Sequence, residues 1–428
     1  VSAPARDPGP ARPGALAAYA TVTAAYWAFM LSDGALRMLV LLHFDRLGFT
    51  PIQIAWLFLG YEVAGIATNL SAGWLALRFG LTATLYAGLA LQVAALAALA
   101  RLDPGWGIAA SVAYVMAAQA LSGVAKDLTK MSSKSAVKLL APGAEGGLFR
   151  WVAVLTGSKN AVKGVGFFLG AALLAGVGFR PAICAMALAL AAILLAAALF
   201  MPPGLPAGKK GARFGEVFSR DPRINRLSAA RLFLFGARDV WFVVGIPVYF
   251  EAALSDGTAA GHRLAFFLVG GFMALWVIGY GAVQALAPRL LRARDRPEPE
   301  IAAAARRWVG GLTLIPLALA VLAAVGGAPS DGLTLVLALG LLLFGFVFAV
   351  NSSLHSYLIL AFTSAERVTM DVGFYYMSNA AGRLLGTLLS GLSYQLGGLP
   401  LCLATAGALA GLSWLSLGRR AGDTGQAA

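Results

Sequence analysis

Long apolar runs, each bounded by charges, proline or glycine, divide the chain into twelve stretches of membrane-crossing length. They fall at 16–42, 52–77, 81–100, 106–126, 148–174, 181–200, 227–250, 264–288, 308–325, 333–362, 369–394 and 399–418. The run at 16–42 is too long for the core of a signal peptide and reads as a retained first helix. One break interrupts the rhythm: 201–226, MPPGLPAGKKGARFGEVFSRDPRINR, is rich in proline, glycine and basic residues, as a loop between two bundles is. The expected fold is therefore an all-α membrane protein, twelve transmembrane helices in two pseudo-symmetric six-helix bundles at 16–200 and 227–418. Residues 201–226 are the expected cytoplasmic linker, with 1–15 and 419–428 as cytoplasmic tails.

Composition agrees. Of 428 residues, 59% are hydrophobic and 12% charged, and the mean hydropathy is +0.78, which leaves no length for a large soluble domain. The net charge of +14 would suggest nucleic acid in a soluble protein, but its placement says otherwise. With both termini inside, 23 of the 33 Lys and Arg residues fall in cytoplasmic segments, and only Arg46, Arg101, Arg180 and Arg263 fall outside. That asymmetry predicts a multi-pass protein with both termini cytoplasmic and explains the charge without a nucleic-acid partner; the inner membrane of a bacterium is the expected lipid bilayer and a monomer the expected state. Cys184 and Cys402 are isolated in apolar runs, so no disulfide or metal site is expected. No nucleophile elbow, zinc motif, phosphate loop or dinucleotide fingerprint is present, and no enzymatic activity or cofactor is expected.

Charges inside the apolar stretches carry the functional signal. Arg37, Lys159, Lys163, Arg231, Arg238 and Arg383 face only three acids at comparable depth, Asp33, Glu62 and Asp239. An ionisable group in hydrocarbon is tolerated only where it faces a bundle interior or a watery cavity, so these residues mark a cavity. Stretches three, six, nine and twelve hold no internal charge, so every third helix is expected to stand outside it. That rhythm is the pattern of the major facilitator superfamily.

Local motifs extend the resemblance. GWLALRFG at Gly73 to Gly80 resembles the superfamily's loop motif between helices two and three, with Leu77 where the motif has Asp, so the usual gating latch does not carry over intact. More closely, the chain resembles the ArsJ family of organoarsenical efflux permeases from about Tyr26 to Leu417. The segments that carry this are GVAKDLTKMSSKSAVKLL from Gly123, LFRWVAVLTGSKNAVKGVGFFLG from Leu148, LSAARLFLFGARDVWFVV from Leu227 and ALWVIGYGAVQALAPRLL from Ala274. FAVNSSLHSYLILAF from Phe348 and VGFYYMSNAAGRLLGTLLSG from Val372 complete it. The resemblance implies export of 1-arseno-3-phosphoglycerate, made when glyceraldehyde-3-phosphate dehydrogenase uses arsenate in place of phosphate, and hence arsenate resistance. The residues alone imply an anionic solute, and they leave open an organophosphate/phosphate antiporter or a non-transporting anion receptor.

Such a substrate has an anionic group at each end and needs cations on more than one helix. Lys159 and Lys163, one turn apart, and Arg231 and Arg238, two turns apart, are the expected substrate contacts, with Arg231 alternatively an anchor near the boundary. Arg383, with Tyr375, Tyr376 and Asn379, adds a charge and hydrogen-bonding groups. Lys126, Lys130, Lys134 and Lys138 form a four-residue ladder, of which Lys126 and Lys130, beside Asp127, read as a gate at the cytoplasmic mouth. Asp33 and Arg37 have the spacing of an intrahelical ion pair. Asp239 is expected to point about 100° away from Arg238. Asp33, Glu62 and His355 are the candidates for proton coupling.

Overall fold

The computed structural model describes residues 15–140, 147–201, 219–291, 297–327, 329–363 and 368–418. The two tails, most of the linker and the side chains of Lys134 and Lys138 lie outside the described residues. The first six helices are α1 (Ala15–Arg46), α2 (Pro51–Phe79), α3 (Leu81–Ala100), α4 (Ile108–Leu140), α5 (Gly147–Val177) and α6 (Phe179–Phe200). After the linker come α7 (Pro222–Leu254), α8 (Ala259–Leu290), α9 (Glu298–Gly326) and α10 (Asp331–Phe362). The stretch Val368–Ser416 is two helices, α11 (368–396) and α12 (399–416), broken where Gly397 leaves helical geometry and Gly398 takes φ 61°. That left-handed φ favours glycine, and Pro400 starts the new helix without needing an intrahelical donor.

Ten segments are long and apolar enough to cross a membrane; one of them, Asp371–Ser416, holds both α11 and α12, and α2 adds a further 29-residue helix. The described residues thus reproduce the expected crossings, and no strand occurs among them. The largest departure is α4, which continues fourteen residues past the expected end at 126. Nothing from Ala125 to Leu140 breaks a helix, and Thr129, Ser132 and Ser133 return their hydroxyls to carbonyls four residues back, at 2.8–3.0 Å.

Helices α1 to α6 pack mainly on one another, with α1 against α4, α5 and α6, and α4 against α2 and α3. The second six do likewise, α7 against α11 and α12, and α9 against α10 and α12. The halves meet along two antiparallel seams, α5 with α8 and α2 with α11. Small residues set how closely they approach. A Cβ on Gly170 would lie 2.2 Å from the Ala35 carbonyl oxygen and one on Gly164 2.9 Å from that of Ala274, so one face of α5 seats α1 and another seats α8. On the other seam Gly391 of α11 receives Pro51 and Ala55 of α2, and Gln395 accepts a hydrogen bond from Ile52 N at 3.4 Å. Because these contacts lie at the start of α2 and the end of α11, they close one end of the molecule, called here the cap; the opposite end, where odd-numbered helices begin, is the base.

Helix α7 carries the most distinctive local structure. Asp221 caps its start, accepting from Arg223 N at 2.8 Å, and the hydrogen bond from the Arg223 side chain holds this carboxyl below the usual carboxylate range. Further along, Trp241–Gly245 is a widened π turn. Pro247 explains it: the ring has no N–H and would collide with the carbonyl four residues back, so the turn before it opens. The loosened amides of Val244 and Gly245 both donate to Ser390 Oγ of α11, at 3.1 and 3.2 Å. Trp241, fully buried, stacks edge-on against Trp276 and Phe344.

Removing that shared acceptor by Ser390→Ala leaves two buried amides without a partner. It is expected to destabilise the fold by about 1–3 kcal/mol, read as earlier thermal unfolding of the detergent-purified protein; an unchanged unfolding curve would show that the π turn does not depend on Ser390.

Candidate functional site

Between the halves lies a cavity of about 520 Å³ running from mid-depth toward the base. Its walls come from α1, α2, α4, α5, α7, α8, α10 and α11; α3, α6, α9 and α12 contribute none of its lining. That matches the expectation that every third helix stands outside. From the first half come Arg37, Lys126, Lys130, Lys159 and Lys163, and from the second Arg231, Arg238 and Arg383. Among the described residues these eight cations meet four carboxylates within or directly behind the wall, Asp33, Glu62, Asp127 and Asp239.

In the first half each carboxylate is held by more than one donor. Lys163 Nζ lies 2.5 Å from Asp33 Oδ2, while the Tyr61 hydroxyl donates to Asp33 Oδ1 at 2.6 Å. Asp127 accepts from Lys130 at 2.7 Å and from Thr68 at 2.9 Å, with Lys126 3.9 Å away. Lys126 also sits 4.1 Å from the Tyr61 ring centroid, a cation–π contact that partly replaces its lost water.

The second half is built on arginines and rings. Arg231 donates to Asn379 Oδ1 at 3.0 Å and to the Ser352 hydroxyl and carbonyl at 2.9 and 3.2 Å, and lies over the Phe235 ring at 4.0 Å. Arg238 donates from Nε to Asp239 Oδ1 at 2.5 Å and stacks near Phe235, Phe242 and Phe348. Arg383 of α11 then joins the halves: one terminal nitrogen lies 2.5 Å from Glu62 Oε1 of α2, and its Nε lies 3.4 Å from Asp239 Oδ2. Arg37 reaches the same Glu62 oxygen at 3.0 Å. The result is an alternating ladder, Arg37, Glu62, Arg383, Asp239, Arg238, crossing from α1 to α7 at the cap end of the cavity. Three guanidinium groups share two carboxylates.

Several expectations are corrected by this geometry. No Asp33–Arg37 ion pair forms: Asp33 goes to Lys163 of α5 and Arg37 to Glu62 of α2, partners that neighbouring helices bring within 3.0 Å. Arg238 and Asp239 do bond, since the long arginine stem spans the angle between adjacent positions and buried Asp239 needs a cation. Lys126, Lys130 and Asp127 line the cavity wall, ten or more residues short of the end of α4 at Leu140 rather than at its end. Arg231 is 4% exposed and lines the cavity, so it is no boundary anchor. Tyr376 and Asn379 line the cavity, whereas Tyr375 is buried behind it, its ring centroid 5.1 Å from the Arg231 guanidinium. His355 is fully buried, is not among the lining residues, and neither ring nitrogen has a hydrogen-bond partner among the described residues.

The lining also includes residues that the sequence reading did not select, notably Tyr26, Asn69, Asn160, Tyr280 and Gln284, together with Tyr61 behind the wall. A signal for some of them was present. Arg231, Phe235, Arg238 and Phe242 form one helical row at three- and four-residue steps, as do Trp276, Tyr280 and Gln284.

Comparison with known proteins places this architecture. No curated protein matches the chain in sequence. Among solved structures it is similar to the nucleoside transporter NupG (D323A mutant), with TM-score 0.68 and 16% identity over 94% of this chain and 98% of that one. It is also similar to a bacterial homologue of the iron transporter ferroportin in its inward-facing state, with TM-score 0.67 and 15% identity over 94% and 99% of the two chains. The family model of the Major Facilitator Superfamily matches residues 22–299. Two six-helix halves, a cavity between them that excludes every third helix, and this match lead to one conclusion: the chain belongs to the Major Facilitator Superfamily of membrane transporters.

Proposed function

We propose that the protein is a secondary exporter of small organic anions bearing several negative charges, with 1-arseno-3-phosphoglycerate as the substrate implied by the ArsJ resemblance. The observation that carries this reading is the charge balance of the cavity, eight cations against four carboxylates among the described residues. Four positive charges in a partly desolvated space between helices call for an anion of similar charge. A three-carbon acid with a phosphate at one end and an arsenate at the other supplies it, and its two ends suit a cavity with lysines mainly on one half and arginines on the other. A metal cation such as iron, the cargo named for one structural neighbour, would meet repulsion here.

Transport follows by alternating access. Substrate reaches the cavity from the base, the side that the excess of Lys and Arg supports as cytoplasmic. Lys159, Lys163, Arg231, Arg238 and Arg383 bind it, and the seam between α2 and α11 parts to release it at the cap. Anion binding to Arg383 competes with Glu62 for the guanidinium and so weakens an ion pair that joins the halves. An inside-negative potential assists export by about 2.3 kcal/mol per charge at 100 mV. The cavity is complete within one chain, which suits a monomer.

Expression in an arsenate-sensitive bacterium together with glyceraldehyde-3-phosphate dehydrogenase should lower cell-associated arsenic relative to the dehydrogenase alone. No fall would count against export. Arg238→Gln leaves Asp239 its second cation, Arg383, and so should fold; losing one charged hydrogen bond to substrate is expected to reduce efflux by roughly tenfold to a hundredfold. Full efflux at normal expression would remove Arg238 from the site.

A further inference from the structure

The cavity's positive charge divides into a part that protonation equilibria can remove and a part that they cannot. Lys163 and Lys130 are each matched by a carboxylate, Asp33 at 2.5 Å and Asp127 at 2.7 Å, and those pairs are neutral as they stand. Lys126 and Lys159 are amines, whose charge is not permanent in the way a guanidinium's is. The arginines cannot lose theirs, because a guanidinium stays charged at any accessible pH. Arg37, Arg383 and Arg238 share only Glu62 and Asp239, which leaves one permanent positive charge on the ladder. Arg231 adds a second, since its hydrogen-bond partners among the described residues, Asn379 and Ser352, are neutral. Arg383 Nε faces Asp239 Oδ2 at 3.4 Å without a hydrogen bond, so this rung of the ladder is loosely held.

Two permanent charges are tolerable while the cavity is open to water and counter-ions. They are not tolerable in the sealed state through which the empty carrier would have to return, where no mobile ion neutralises them. An inorganic tetrahedral oxyanion with two negative charges cancels both, and its oxygens suit guanidinium donors on two helices.

We infer that the protein returns loaded: it is an obligate exchanger that trades its organic anion for an inorganic tetrahedral oxyanion, phosphate or arsenate, held between Arg231 and the Arg383–Arg238 end of the ladder. No bond is made or broken in this exchange. The inference rests on the organic-anion reading above but is separable from it.

The test uses the purified full chain in proteoliposomes and uptake of radiolabelled phosphate into vesicles loaded with phosphate, arsenate or chloride. Uptake into phosphate-loaded or arsenate-loaded vesicles is expected to exceed that into chloride-loaded vesicles by roughly tenfold or more. Equal uptake into all three overturns the inference. So does entry of 3-phosphoglycerate into chloride-loaded vesicles without phosphate transport, a result that leaves the organic-anion reading standing. Movement of neither anion under any condition removes both. Arg231→Lys provides the second handle, because it keeps the charge at neutral pH but can release it: the requirement for internal oxyanion should weaken as pH rises in this variant and not in the parent. A requirement that stays pH-independent in Arg231→Lys contradicts the inference.

Discussion

Positive charge in excess of the carboxylates among the described residues, confined between two helical bundles, is the constraint on which the rest of the structure depends. Water and hydrocarbon would both penalise such charge if it were scattered, the first by leaving nothing to bind and the second by desolvation. Here it is gathered on helices that converge from both halves, and the acids present are spent on fixing the cations rather than on cancelling them. Asp33 orients Lys163, Asp127 orients Lys130, and Glu62 and Asp239 together hold three arginines. In the proposed anion carrier each carboxylate is a positioning group, lowering the entropy that long side chains would otherwise lose on meeting the substrate.

The scaffold serves that arrangement. Glycines on α5 let α1 and α8 approach on two faces, so cations from three helices reach one space. The π turn in α7, forced by Pro247 and satisfied by Ser390, rotates the end of that helix relative to its beginning, just past Arg238 and Asp239. The Glu62–Arg383 pair lies where the halves meet, so a change in the charge of the cavity acts directly on a contact between them. In the proposed mechanism, binding and the relative position of the halves are thereby coupled through one guanidinium group.

Much of the fold was legible in the sequence, because hydrophobic length and the absence of charge from every third stretch are local properties. The cavity cations were legible for the same reason: Lys163, Arg238 and Arg383 each interrupt an apolar run, and hydrocarbon leaves such a residue few places to go. Their partners were not. Whether Asp33 meets Arg37 on its own helix or Lys163 on another depends on how closely α1 and α5 pack, which Gly34 and Gly166 decide and no spacing rule along α1 contains. The depth of Lys126 and Lys130 was misjudged because charge was taken as the end of a helix, whereas α4 continues through serines and threonines that bond back to its own carbonyls. Tyr61 escaped notice because an aromatic residue in an apolar helix looks the same in sequence whether it packs or holds an aspartate.

If uncompensated charge in the cavity governs recognition, affinity must follow the charge of the ligand. The direct measurement is calorimetric titration of the purified protein with a series of three-carbon compounds, glycerol, glycerate, 3-phosphoglycerate and 2,3-bisphosphoglycerate, at fixed ionic strength. Affinity is expected to rise at every step as negative charge is added, and to fall for the phosphorylated members as salt is raised. Binding of glycerol or glycerate as tight as that of the bisphosphorylated acid would contradict the central role given to the cavity's charge.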